Sequence, residues 1–108
     1  MLFSIITVGS GPRGIATDSN TNKIYVTNNN QNTVSVIDGN TYTIISTIPV
    51  GNLGGTPFKS GIAIDPLRSL VYVSNTGSNT VSIIDSISNK IVGTMTVGSG
   101  PRGLGILP

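Results

Sequence analysis

Few side chains in this sequence can do chemistry, and their types narrow the possibilities at once. Among 108 residues there are six Lys or Arg and four acids, all of them Asp, with no His and no Cys. A Ser-His-Asp or Cys-His nucleophile cannot be assembled without His or Cys. The absence of His, Cys and Glu also removes the usual zinc ligands. The four carboxylates, Asp18, Asp38, Asp65 and Asp85, form two pairs at an offset of 47 residues. Paired carboxylates can serve as general acid and base. Here each one closes a short apolar-alternating run, where Asp commonly binds nearby backbone amides. Recurrence at equivalent positions marks a scaffold role.

Two further motifs lose their chemistry on inspection. "DSNTN" (Asp18, Asn20, Asn22) has the D-x-N-x-N spacing of a calcium loop, but Lys23 stands where such a loop needs Gly, and no Glu is available to complete it. The equivalent stretch "DPLRS" breaks the pattern, so a simple turn is expected. "TVGSGPRG" contains G-S-G-x-x-G without the Lys of a phosphate loop or a following helix.

Binding residues are easier to nominate. The cations Arg13, Lys59 and Arg102 stand in or beside glycine-rich stretches, and "NNNQN" supplies the amides Asn29, Asn30 and Gln31. Together they could hold an anionic small molecule or an acidic patch of a protein partner; solvated turn residues are the plainer alternative. A net charge of +2 carried by isolated cations does not suit nucleic acid. No apolar run approaches the roughly 18 residues of a membrane span. "MLFSIITV" is short and lacks the basic flank of a signal peptide. Without Cys there is no disulfide framework. Ser, Thr, Asn and Gly fill 51 positions, a composition leaning towards an extracytoplasmic or surface protein. No cofactor and no metal are expected.

The elements that position these residues come from a repeat. "GIATD" (14–18) returns as "GIAID" (61–65), "IYVTN" (24–28) as "VYVSN" (71–75) and "NTVSVID" (32–38) as "NTVSIID" (79–85), all at offset 47. Val8-Gly9 precedes Val50-Gly51 by only 42, so the second unit carries five extra residues within Gly51–Gly61. "TVGSGPRG" itself occurs at 7–14 and 96–103. Each unit holds four alternating runs, bounded by turn chemistry such as "DSNTNK" and "DGNT". In the first unit these are 14–18, 23–28, 33–38 and 42–50; in the second, 61–65, 70–75, 80–85 and 90–97. Both faces of the runs carry apolar residues, as in a sheet covered on two sides. Four antiparallel strands per unit of about 40–45 residues is the pattern of a β-propeller blade.

"IYVTN", then "NTVSVID", a closing "TIPVG" and a "GPRGIA" start resemble the YVTN-family β-propeller repeat, and "VYVSN…NTVSIID…TMTVGSGPRG" is similar to it. The resemblance implies blades stacked around a channel and varied binding or surface roles, with no single activity. It makes "TVGSGPRG" the crossing from the outer strand of one blade to the inner strand of the next. Glycine permits the sharp return there, and the proline is expected to stay out of the ladder. It also places Arg13, Lys59 and Arg102 at the channel mouth.

The expected fold is all-β: two four-stranded antiparallel blades, residues 10–51 and 52–98. An outer strand of a preceding blade (1–9) and an inner strand of a following one (99–108) flank them. Two blades fall short of the about 4–8 of a closed ring. Further blades of a longer chain, or self-assembly into a homo-oligomer, are therefore expected. The expected function is a non-catalytic binding or interaction module. The rivals are part of a lyase- or lactonase-like propeller enzyme whose site lies on other blades, and a structural surface array.

Overall fold

In the computed structural model, residues 7–9, 11–53 and 61–96 are described. Polar four-residue turns set the strand ends. Six of them (19–22, 29–32, 39–42, 66–69, 76–79, 86–89) end on a residue in the left-handed region, with φ between 54° and 58°. Four of those residues are Asn (Asn22, Asn32, Asn79, Asn89), which tolerates that conformation; the others are Ser69 and Tyr42. Between the turns run β1 (Pro12–Asp18), β2 (Lys23–Asn28), β3 (Thr33–Asp38) and β4 (Thr43–Pro49). The second set is β5 (Ile62–Asp65), β6 (Leu70–Asn75), β7 (Thr80–Asp85) and β8 (Lys90–Thr96).

Each set forms one antiparallel sheet in sequence order, β1-β2-β3-β4 and β5-β6-β7-β8. The expected bounds shift by one residue at β4, β5 and β8 and by two at the start of β1. Pro12 is part of β1, opposite Asn28, with a register shift before Gly14. A proline is tolerated there because it is the first residue of an edge strand, next to a bulge. The outer pairs share a second irregularity. Ile45 is the extra residue where Val36 faces Ser46 and Ile37 faces Ile44; Val92 is its counterpart beside Ile83 and Ile84.

Alternation sends Tyr25, Val34, Val36 and Ile48 to one face of the first sheet. They form a buried cluster with Val71, Val73 and Ile84 of the second. Leu53, from the connection between the blades, is fully buried in this cluster. Nothing in the sequence marks it out, because it lies inside what reads as a loop insertion. The expected strands at 1–9 and 99–108 fall almost wholly outside the described residues.

Candidate functional site

The turns divide the molecule into two ends. β1, β3, β5 and β7 all run towards one end and each finishes in Asp. The four carboxylates organise the turns that follow. Asp18 Oδ1 accepts from the Asn20 amide at 3.0 Å, Asp38 from Asn40 at 2.8 Å, Asp65 from Leu67 at 3.1 Å and Asp85 from Ile87 at 2.9 Å. This is the side-chain-to-backbone turn that the residue type favours. Asp65 also receives Arg68 Nη1 at 2.7 Å. That bond to the guanidinium holds the Asp65 carboxyl below the usual carboxylate range.

Lys23 and Lys90 start strands at this same end, opposite Asp18 and Asp85 in the ladders. Lys23 Nζ crosses between the blades to donate to the Ser86 carbonyl and, at 3.3 Å, to Asn89 Oδ1. Nearby, the buried Tyr25 hydroxyl has no hydrogen-bond partner of normal geometry. Its phenol is pushed up to about 12 by burial and by the Asp18 carboxylate; the Ser86 hydroxyl pulls the other way and Asp85 adds to the rise.

The opposite end carries the connections between blades and the turns 29–32 and 76–79. It is built by close contact of loops. The Asn29 amide donates to the Gly11 carbonyl at 2.9 Å, Val50 to Asn32 at 2.9 Å and Gly77 to Asn52 at 2.8 Å. Asn29 is buried, and its carboxamide donates to the Leu53 carbonyl at 3.4 Å. Asn30 and Gln31 are exposed, packed against Gly11 and Gly9. Gly11 takes the positive φ expected of this junction. Beneath these loops lie Asn28 and Asn75. Asn28 Nδ2 reaches Ser35 Oγ at 2.8 Å and Thr33 Oγ1 at 3.1 Å; Asn75 repeats the pattern with Ser82 at 2.8 Å and Thr80 at 3.0 Å. The repeat asparagine therefore ties strand to strand, a role that sequence reasoning did not assign.

Arg13 is the second residue of β1 at this end and is exposed. The six residues from Arg13 to Asp18 separate it from the nearest carboxylate of its own strand by about 17 Å. Every Asp of the chain lies at the other end, so no side-chain carboxylate offsets the charge of Arg13. Lys59 and Arg102, the other two expected mouth cations, fall outside the described residues. Tyr25 packs in the interface between the blades, while its equivalent Tyr72 on β6 is half-buried on the opposite face of the second sheet from Val71 and Val73. Among the described residues, no group of three or more His, Cys, Asp or Glu could hold a metal ion.

Known structures share this architecture. Hydrazine synthase of Kuenenia stuttgartiensis superposes with a TM-score of 0.76 at 22% identity, over 94% of this chain and 27% of that one. Apo AztD of Citrobacter koseri gives 0.79 at 17%, over 91% and 26%. The β-propeller domain of Myceliophteria thermophila Cps50 (Swd1) gives 0.70 at 9%, over 90% and 29%. At these identities the likeness is one of fold. The chain spans little more than a quarter of each structure. Among curated proteins, none matches it significantly. The family model described as "Lactonase, 7-bladed beta-propeller" matches residues 4–108. With two four-stranded blades and a match over nearly its whole length, the chain belongs to the family of lactonase-type, seven-bladed β-propellers.

Proposed function

We propose that this chain is a non-catalytic binding segment of a YVTN-type β-propeller, and that its carboxylate-free end receives an anionic group. The observation that carries this reading is the segregation of charge. All four Asp, together with Lys23, Arg68 and Lys90, lie at one end, while Arg13 stands at the other. A cation at the rim of a closed architecture, with no acid nearby, presents a positive potential to solvent. Asn30 and Gln31 add exposed amides on the same loops, and Asn29 holds those loops in place. Lys59 and Arg102 occupy the matching junctions in the sequence.

Titration calorimetry at low salt with inorganic pyrophosphate and with a short acidic peptide tests this. Arg13→Ala is expected to weaken binding about two- to fivefold, the scale of one exposed charge contact. Equal affinity in the variant, or no binding of either probe, rejects the reading.

A second reading has the family match in its favour: these blades are part of an enzyme whose reacting groups sit elsewhere. This chain brings no His, Cys or Glu to such a site. Lactone hydrolysis by a closed propeller that includes these two blades, unchanged when Arg13 is replaced by Ala, would put the enzyme reading first.

A further inference from the structure

The outer strands of the two blades leave a groove between them. One wall is residues 46–49 of β4, the other residues 89–91 at the start of β8, and the space between the walls is about 310 Å³. That volume is at the lower end of the range for ligand pockets. Further in, the junction is closed: Ile48 joins the cluster with Val71, Val73 and Ile84 and is 5% exposed. Towards the rim the β4 wall carries only the short side chains of Ser46, Thr47 and Pro49, so the space outside Ile48 stays open.

The groove is chemically one-sided. Apolar surface comes from Ile48 and Pro49 on one wall and from Ile91, 39% exposed, on the other. The β8 wall also brings Asn89 and Lys90. The Asn89 backbone amide donates to the Asp85 carbonyl at 2.8 Å, and its Oδ1 accepts from Lys23 Nζ at 3.3 Å. The acceptor half of this carboxamide is thereby spent, and Nδ2 keeps two hydrogens with no partner among the described residues. Lys90 is exposed and makes no ion pair or side-chain hydrogen bond among the described residues. Asp85, opposite Lys90 in the ladder, gives its Oδ1 to the Ile87 amide instead. The unspent side-chain groups of Asn89 and Lys90 are therefore all donors, and one of them is charged.

Neither side chain belongs to the repeated scaffold. In the first blade their positions are held by Tyr42 and Thr43. The turn survives that change, because Tyr42 takes the same left-handed conformation, φ 57° against 58° for Asn89. The fold thus needs neither an amide nor an ammonium at this place. The bond from Lys23 accounts for one half of the Asn89 side chain; it does not account for Nδ2 or for Lys90.

We propose that this groove binds a short extended segment of a protein partner in which aliphatic residues are followed by a carboxylate. The aliphatic side chains lie on Ile48, Pro49 and Ile91, and the carboxylate accepts from Asn89 Nδ2 and Lys90 Nζ. An extended chain suits a groove that lies open between two strands, whereas a small molecule needs walls that enclose most of its surface. Donors on one wall only give the segment a fixed direction. The site is on the outer strands, while Arg13 is on β1 at the opposite edge of the first sheet.

Fluorescence anisotropy tests this, using a closed propeller that includes these two blades and a labelled, amidated peptide with two leucines followed by an aspartate. Saturable binding is expected. Asparagine in place of the aspartate should weaken it about two- to fivefold, the scale of one exposed charge contact. Lys90→Met should weaken the aspartate peptide by the same factor, leave the asparagine peptide unaffected and keep the wild-type unfolding midpoint. Ile91→Ala should weaken both peptides alike, and Arg13→Ala should change neither. No saturable binding overturns the proposal, as does equal affinity for the two peptides or a loss that follows Arg13 and not Lys90. Binding of hexanoate without binding of the peptide also overturns it, in favour of a small-molecule site. Pyrophosphate binding through Arg13 with no peptide binding would leave the functional reading standing while this one falls.

Discussion

Gly51 lies directly over the carboxamide of Asn75: a β-carbon added at Gly51 would sit 2.8 Å from Asn75 Cγ. Asn75 cannot yield, because it is fully buried and donates to both Thr80 and Ser82. The same relationship holds between Gly9 and Asn28, at 2.7 Å. The Val-Gly pair that marks each unit in the sequence is thus the lid over the asparagine that ties the strands together.

Gly51→Ala is therefore expected to lower the free energy of unfolding by about 1–3 kcal/mol, the range for overfilling a packed site. Gly93→Ala is the control. Its nearest neighbour is Ile83 Cδ1 at 3.5 Å, an ordinary contact. Denaturant midpoints of the two variants should separate clearly.

Lys23→Met keeps the length and apolar stem of the side chain and removes its ammonium. The Ser86 carbonyl and Asn89 Oδ1 then lose their donor from the other blade. A loss of about 1–3 kcal/mol is expected, since one buried partner is left unmatched. Lys90→Met, at an exposed position with no such bond, should change the midpoint little. Hydrogen exchange would locate the Lys23 effect in the turn 86–89.

Tyr25 makes the fold sensitive to alkali. Its phenol ionises at about 12 in the folded chain, against 10.0 for a free tyrosine. The unfolded chain therefore releases this proton first. Stability due to the neutral phenol is complete below pH 10 and is lost as pH rises towards 12, by up to about 2–3 kcal/mol. Unfolding curves between pH 9 and 12 should show the decline in the wild-type chain. Tyr25→Phe should flatten it with little cost at neutral pH, because the buried hydroxyl makes no hydrogen bond of normal geometry.

The strands were legible in the sequence because two local signals agree at the ends of six of them, β1, β2, β3, β5, β6 and β7. Alternation of period two runs up to an Asp or Asn, and a polar turn follows. Asp18, Asp38, Asp65 and Asp85 do what their positions suggested. The residues that were not legible act between blades. Lys23 reads as a strand-initial lysine until the second sheet is laid beside it. Leu53 reads as part of a loop until that loop folds over the core. Asn29 was nominated for binding along with Asn30 and Gln31, but its burial against Leu53 depends on a junction 24 residues away in sequence. Pairings across a stacking interface have no fixed sequence offset, so periodicity does not reveal them.

The extra residues Ile45 and Val92 lie at matching places on the outermost strands. A bulge interrupts the even spacing of amides and carbonyls along the open edge and increases its local twist. A foreign strand could follow that edge for only a few residues before its bonds fell out of step. The rim is thereby poorly suited to templating fibrils, even though Ile44, Ile45, Ile91 and Val92 crowd it with β-prone side chains.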